Sequence, residues 1–224
     1  MDQIQQKIEQ IANKEILSDS QMFDYIKPLA EYAQGCEHIT EMGVAIVCST
    51  WAWLSAKPKR LVSVDIDHNC PVDEVREAAK RIGVDFEFVV GDTNHGVTVE
   101  LNKHCPVLNG GQNEKNNGEN YRKVWESEPV PYYNCEPTDL LFIDTYHHYA
   151  SLKKELDVHS PQVKKYLILH DTVAFGKRGE GNDTVGLAKA VSEFLEENPQ
   201  WTTEKEYTNW PGLYVMKRVA DDPA

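Results

Sequence analysis

Apolar residues recur at three- and four-residue spacing through Ile4, Ile8 and Ile11, and again through Met22, Ile26, Leu29 and Tyr32. That period predicts two amphipathic helices within residues 1–35, the second capped from Ser18 to Ser20. After Gly35 the pattern becomes strand-like. Residues 38–42 form a short run ending at Gly43, 61–65 a run ending at Asp65, 84–90 a run closed by Gly91, 139–144 a run ending at Asp144, and 163–169 a run before His170 and Asp171. Helical segments alternate with them at 72–82 behind Pro71, at 149–159 and at 184–197, and residues 202–207 and 212–218 pair as a closing antiparallel ribbon. Strands alternating with helices predict a parallel sheet covered on both faces, and the run 139–144 is apolar enough to be buried on both. Ligands in such folds sit beyond the carboxyl ends of the strands. That rule nominates Gly43, Asp65, Asp92, Asp144, His170 and Asp171 before any motif is considered.

Residues 93–137, with the polar stretch NGGQNEKNNGEN, are too long for a simple crossover. The aromatics Tyr121, Trp125, Tyr132 and Tyr133 favour a partly ordered lid there over plain disorder. No Gly/Ser-rich or Pro-rich linker divides the 224 residues, so a single domain spanning 1–224 is expected.

Composition narrows the function classes. The formal charge of -13 repels phosphate backbones and argues against nucleic acid as substrate. No apolar run reaches the roughly 20 residues that span a bilayer, and the polar start MDQIQQKIEQ lacks a signal-peptide core, so a cytoplasmic protein without a membrane partner is expected. Cys36, Cys48, Cys70, Cys105 and Cys135 show no CxxC spacing, which argues against a zinc cluster or a disulfide framework.

Glu41, Met42 and Gly43, followed by Ser49 and Thr50 at a helix start, make a strand–turn–helix unit of the kind that holds a nucleoside. Glycine lets the backbone approach a ligand, and the free N–H groups of a helix start favour a carboxylate. Each feature alone also fits an ordinary turn. Asp65 at the end of the next strand can accept ribose hydroxyls, and Asp92 after the third can sit beside an adenine. Three consecutive strands ending in suitable groups favour a nucleoside site.

The stretches ITEMGVAIVCSTWAWLSAKPKRLVSVDID, LLFIDTYHHYASLKKELDVHSPQVKKYLILHDT and NWPGLYVMKR resemble class I S-adenosylmethionine-dependent methyltransferases of small molecules, especially the group containing macrocin O-methyltransferase and cephalosporin-hydroxylase-like proteins. The resemblance covers residues 36–218 outside 93–137. It implies an α/β, Rossmann-like fold with a seven-stranded, mostly parallel sheet and an antiparallel last strand. It further implies S-adenosylmethionine held by Glu41, Gly43, Asp65 and Asp92, with Ser49 and Thr50 at the helix start. Two positions depart from the family pattern: Val47 replaces a second glycine, and Tyr146 replaces an acid in the fourth-strand motif Asp144-Thr145-Tyr146-His147-His148-Tyr149.

Asp144 and the pair His170–Asp171 end neighbouring strands and can converge on a divalent cation, magnesium or manganese. The nitrogen of His170 favours manganese, iron or zinc over magnesium. The alternative is that His170 and Asp171 merely cap a strand end. Methyl transfer to oxygen needs removal of a hydroxyl proton, and His147, by family position, is the expected base, with Asp144 and His170 as further catalytic candidates. His148 reads as a surface or core residue and His159 as a partner of a helix dipole. The function implied is an O-methyltransferase acting on a hydroxyl of a sugar or other small polyol. The rival is a nucleoside-binding pseudoenzyme without turnover, motivated by Val47 and Tyr146. A Rossmann oxidoreductase lacks support because no G-x-G-x-x-G follows the first strand. Acceptor identity and oligomeric state are not encoded in these patterns.

Overall fold

The computed structural model describes residues 3–16, 21–96, 130–180 and 185–219. Helices α1 (Gln3–Ala12) and α2 (Ile26–Ala33) precede β1 (His38–Met42), α3 (Cys48–Ser55), β2 (Arg60–Asp65), α4 (Asp73–Ile82) and β3 (Asp85–Val90). The second half runs through β4 (Thr138–Ile143), α5 (Tyr149–His159), β5 (Val163–His170), α6 (Leu187–Glu197), β6 (Trp201–Tyr207) and β7 (Leu213–Arg218). The helix expected to begin near Met22 starts at Ile26, although Met22 is buried in the same core. Ser18 to Ser20, Tyr121, Trp125 and most of the lid expected over 93–137 lie outside the described residues.

The seven strands form one sheet in the order β3-β2-β1-β4-β5-β7-β6. Strands β1 to β5 pair in parallel, and β7 runs antiparallel to both β5 and β6. This is the fold that the family resemblance implies. The chain travels outward from β1 to β3 and then returns to the other side of β1, so strand order reverses between β1 and β4. That reversal opens a crevice at the strands' carboxyl ends, where α/β sheets bind ligands. Gly43 follows β1 and Asp144 follows β4, one on each side of it.

The period of two along β4 explains its apolar sequence. Leu140 and Phe142 join the core shared with α1 to α4, whereas Leu141 and Ile143 face α5 and α6 on the opposite side. All of β4 is therefore buried. Helix α4 shows how local sequence sets its limits: Asp73 and Glu74 occupy the first turn, Lys80 and Arg81 the last, and Gly83 at φ 77° ends it in the left-handed conformation. Among the described residues no helix is long and apolar enough to cross a membrane.

Candidate active site

The turn after β1 is held from both sides. The Gly43 N–H donates to the Val64 carbonyl at 2.9 Å and the Asp144 N–H donates to the Met42 carbonyl at 2.8 Å, which ties together the ends of β1, β2 and β4. Gly43 has φ 86°, and a Cβ there would overlap the Asp144 carbonyl oxygen. Glycine is thus required by conformation and by close approach. Further along, Ala45 (φ 44°) and Val47 (φ 61°) are also left-handed. For a β-branched residue that conformation is strained, and Val47 stands where the family pattern has its second glycine.

Glu41 does not face the crevice as expected of a cofactor contact. Its carboxylate is fully buried and accepts hydrogen bonds from Ser49 Oγ (2.5 Å), Thr50 Oγ1 (2.8 Å), Trp53 Nε1 (3.1 Å) and Ser63 Oγ (2.7 Å). The Ser49 and Thr50 hydroxyls point inward at Glu41, which corrects their expected role as ligand contacts. Burial pushes the Glu41 pKa up to about 7, against four donors that pull it down. These residues brace the start of α3 beneath the turn.

Asp65 and Asp92 lie where the strand-end rule places them. Asp65 Oδ2 accepts the N–H groups of Val44 (2.7 Å) and Ala45 (3.1 Å), and Oδ1 accepts that of Asp67 (2.8 Å). A carboxylate offers about four acceptor positions, and with the Cys70 thiol also hydrogen-bonded to it, Asp65 is largely occupied in ordering the turn. Asp92 is buried and caps its own loop by accepting from Asn94 N (2.8 Å) and Gly96 N (2.9 Å). Its backbone bridges to Tyr132, and Tyr132 stacks on His95 with centroids 5.1 Å apart, so the described ends of the 93–137 segment are joined at the sheet edge.

The acidic strand ends of β4 and β5 converge around one imidazole. His147 Nε2 lies 3.1 Å from Asp144 Oδ1 and 3.0 Å from Asp171 Oδ2, while Nδ1 lies 3.3 Å from Glu180 Oε2. Phe175 stacks on the ring, with centroids 4.7 Å apart and planes 7° from parallel. Asp171 itself has φ 58°, a left-handed conformation that turns its carboxylate back toward Asp144. Asp144, His147 and Asp171 offer donor atoms within 4.8 Å of one another, a spacing suited to one metal ion. The sequence nominates His170 beside Asp144 and Asp171, whereas the group of converging donor atoms contains His147. His170 is buried with Nδ1 3.2 Å from Asp144 Oδ1, between the rings of Tyr25 and Phe142, and its Nε2 has no hydrogen-bond partner.

Electrostatics also revise the role expected of His147. Burial opposes its charge, yet hydrogen bonds to Asp144 and Glu180 and the charges of Asp171 and Asp144 hold its pKa well above the ordinary histidine value. It therefore carries its proton at neutral pH and cannot act there as a simple base in this arrangement. Burial likewise opposes ionisation of Asp144, but the charge of His170 and hydrogen bonds from both imidazoles keep its carboxyl below the usual range. At Asp171 burial wins and the pKa is raised.

Two other histidines receive definite positions. His148 is the N-cap of α5, its Nδ1 accepting the Ala150 N–H at 3.1 Å. His159 stands in the last turn of α5, as the dipole reading expects, but it is fully buried, 3.0 Å from the Thr93 carbonyl through Nε2, and burial pushes its pKa down to about 4, so it offers the dipole no charge at neutral pH. Glu155, one turn earlier on α5, is a buried residue that sequence reasoning missed. It accepts from Thr93 Oγ1 (2.5 Å) and Thr145 Oγ1 (2.8 Å), linking the loop after β3 to the residue following Asp144.

No family model and no curated protein sequence matches this chain. Solved structures do. The cofactor-bound protein Rv0187 from MTB superposes with a TM-score of 0.55 at 18% identity, over 97% of this chain and 90% of that one. A putative O-methyltransferase from Klebsiella pneumoniae gives 0.53 at 16% identity over 97% and 90%. The O-methyltransferase from Bacillus cereus, in complex with SAH, gives 0.52 at 16% identity over 98% and 92%. At these identities the likeness establishes the fold: a Rossmann-like class I methyltransferase architecture.

Proposed function

We propose that this chain is an S-adenosylmethionine-dependent methyltransferase that moves the methyl group to a hydroxyl oxygen of a sugar or other small polyol, as in the macrocin O-methyltransferase group it resembles. One observation carries the reading. The glycine turn at the β1 end and the acid–histidine cluster at the β4 end share a backbone contact, Gly43 against the Asp144 carbonyl. A nucleoside seated on the turn would thus place its reactive end beside the cluster. Asp65, at the end of β2, is the ribose contact, a ribose hydroxyl taking the place of the Cys70 thiol on its carboxylate, and Asp92 flanks the adenine side. The Klebsiella pneumoniae neighbour is a putative O-methyltransferase, and the Bacillus cereus neighbour is an O-methyltransferase in complex with SAH.

The cluster also fits a divalent cation. Two carboxylates and an imidazole are a borderline donor set suited to manganese as well as magnesium. Such an ion would supply positive charge between Asp144 and Asp171, where His147 now lies. Asp171 Oδ1 is buried without a hydrogen-bond partner, with only His170 Nδ1 near it at 3.4 Å, so part of the cluster's donor capacity is open. Asp144, His147 and Asp171 would hold the ion, which would supply Lewis acidity to the acceptor oxygen.

Transfer is an in-line displacement: the acceptor oxygen bonds the methyl carbon as the carbon–sulfur bond breaks, the sulfonium becomes a thioether, and the hydroxyl proton departs. The chain's task is to align donor and acceptor and to provide a carboxylate that takes that proton, Asp171, whose raised pKa makes it the stronger base of the two acids. A second reading, a nucleoside-binding protein without turnover, is favoured by the left-handed Val47 and by the three N–H groups already on Asp65. Calorimetry with S-adenosylhomocysteine, followed by mass spectrometry for a CH2 gain on glycosides, polyols and catechols, separates the two. Binding with product supports the enzyme; binding without product across the panel supports the module; no binding sinks both.

A further inference from the structure

Glu180 lies outside every motif and strand end considered above, yet it makes a two-way contact with the residue at the centre of the cluster. Its N–H donates to the His147 carbonyl at 2.7 Å, the His147 N–H reaches its Oε2 at 3.4 Å, and the same Oε2 lies 3.3 Å from His147 Nδ1. The Tyr146 hydroxyl donates to the Glu180 carbonyl at 3.4 Å. The segment carrying Glu180 is clasped by a bridge between Arg178 and Val185, and the Val185 carbonyl accepts the N–H of Tyr149 at the start of α5. Glu180 is thus fixed to the β4–α5 connection at several points, with its side chain largely buried beside the imidazole.

The consequence concerns the other ring nitrogen. A neutral imidazole has one N–H and one lone pair, and the hydrogen bond made by the first decides where the second points. A carboxylate on Nδ1 selects the tautomer whose Nε2 lone pair faces outward, and Nε2 faces Asp144 and Asp171. Phe175, stacked flat on the ring, holds its plane. We propose that Glu180 is a positioning residue that orients His147 as a metal ligand, forming a carboxylate–histidine–metal relay with Asp144 and Asp171. The proposal rests on the reading of Asp144, His147 and Asp171 as a cation site. It assigns Tyr146 a supporting part, since its hydroxyl helps hold the backbone of Glu180 where the family pattern has an acid.

The test uses the full-length protein and Mn2+ alone, with affinity read by calorimetry and folding by thermal melting. Carboxylates that support a ligating histidine are typically worth 10- to 100-fold in metal affinity. Glu180→Ala should weaken Mn2+ binding by about that factor, and Glu180→Gln, which keeps an acceptor oxygen without the charge, by less. If Glu180→Ala does not fold, the Gln variant decides alone, judged at an unchanged melting temperature. In the Zn2+-loaded parent, the 15N shifts of the His147 ring should show a protonated Nδ1 and a metal-bound Nε2, a signature that a merely structural role for Glu180 would not require. Parent-like Mn2+ affinity in both Glu180 variants, with His147→Ala much weaker, overturns the role of Glu180 and leaves the cation site standing. Parent-like affinity in His147→Ala, or no Mn2+ binding by the parent, overturns the cation reading and the proposal together.

Discussion

Gly43 and Asp144 meet through backbone: with φ 86° at Gly43, its α-carbon lies so close to the Asp144 carbonyl that a methyl group there would overlap the oxygen. This contact couples the glycine turn to the acid cluster across the reversal of strand order. Gly43→Ala should therefore damage both at once. A left-handed alanine alone costs about 1–2 kcal/mol, and separating β1 from β4 adds to that. Urea unfolding should show a loss above that figure, and a variant within about 0.5 kcal/mol of the parent would remove the contact as an organising feature.

Asp65 orders the turn through one carboxylate and, in the proposed function, also meets the ribose. Asp65→Ala should weaken S-adenosylhomocysteine binding by about 1.5–3 kcal/mol, the usual worth of hydrogen bonds to a charged group. Because the same oxygens accept the N–H groups of Val44 and Ala45, Asp65→Asn, which can still accept through one oxygen, should lose less. Equal calorimetric affinities for parent and Asp65→Ala would end the assignment.

If Asp144, His147 and Asp171 hold a required cation, exhaustive chelation should abolish methyl transfer and add-back of Mn2+ should restore it, while S-adenosylhomocysteine affinity changes little. Asp171→Asn should need more added metal to reach the same rate. Full activity after chelation would return the three residues to structural or acid–base roles.

The strands were legible because their burial is written into composition: β4 is apolar throughout and lies inside the sheet, and Asp65, Asp144 and Asp171 stand at strand ends where the fold brings ligands. The side-chain partners were not. Glu41 sits in a strand between buried residues, a hint that its charge must be satisfied internally, but its donors come from one side of α3 and from β2, which only the tertiary fold brings together. Glu180 lies in an irregular segment with no period to read, so nothing local foretold its approach to His147. His159 follows the helical pattern, but proximity to a helix end gives no measure of how deeply the loop after β3 buries it.

The pair Glu155 and His159 makes a pH prediction with opposing signs. Both are fully buried. Burial pushes the His159 pKa from 6.5 down to about 4, so its contribution to stability is full above pH 6.5 and is lost as pH falls toward 4. Burial pushes the Glu155 pKa from 4.5 up to about 7, so its contribution is full below pH 4.5 and is lost as pH rises toward 7. Between pH 5 and 7 each effect amounts to about 2 kcal/mol, and in the parent they largely cancel. Removing one should expose the other. Because the buried Glu41 titrates in the same range in all three proteins, the change is read against the parent's: from pH 7 to pH 5, Glu155→Gln should lose stability relative to the parent, whereas His159→Gln should gain it. Urea unfolding of the three proteins at both pH values measures this directly, and because each protein is compared with itself, the hydrogen bonds lost on substitution drop out to first order. Parallel pH profiles for parent and both variants would show that neither buried group titrates in this range and that the network beneath the loop after β3 is electrostatically inert.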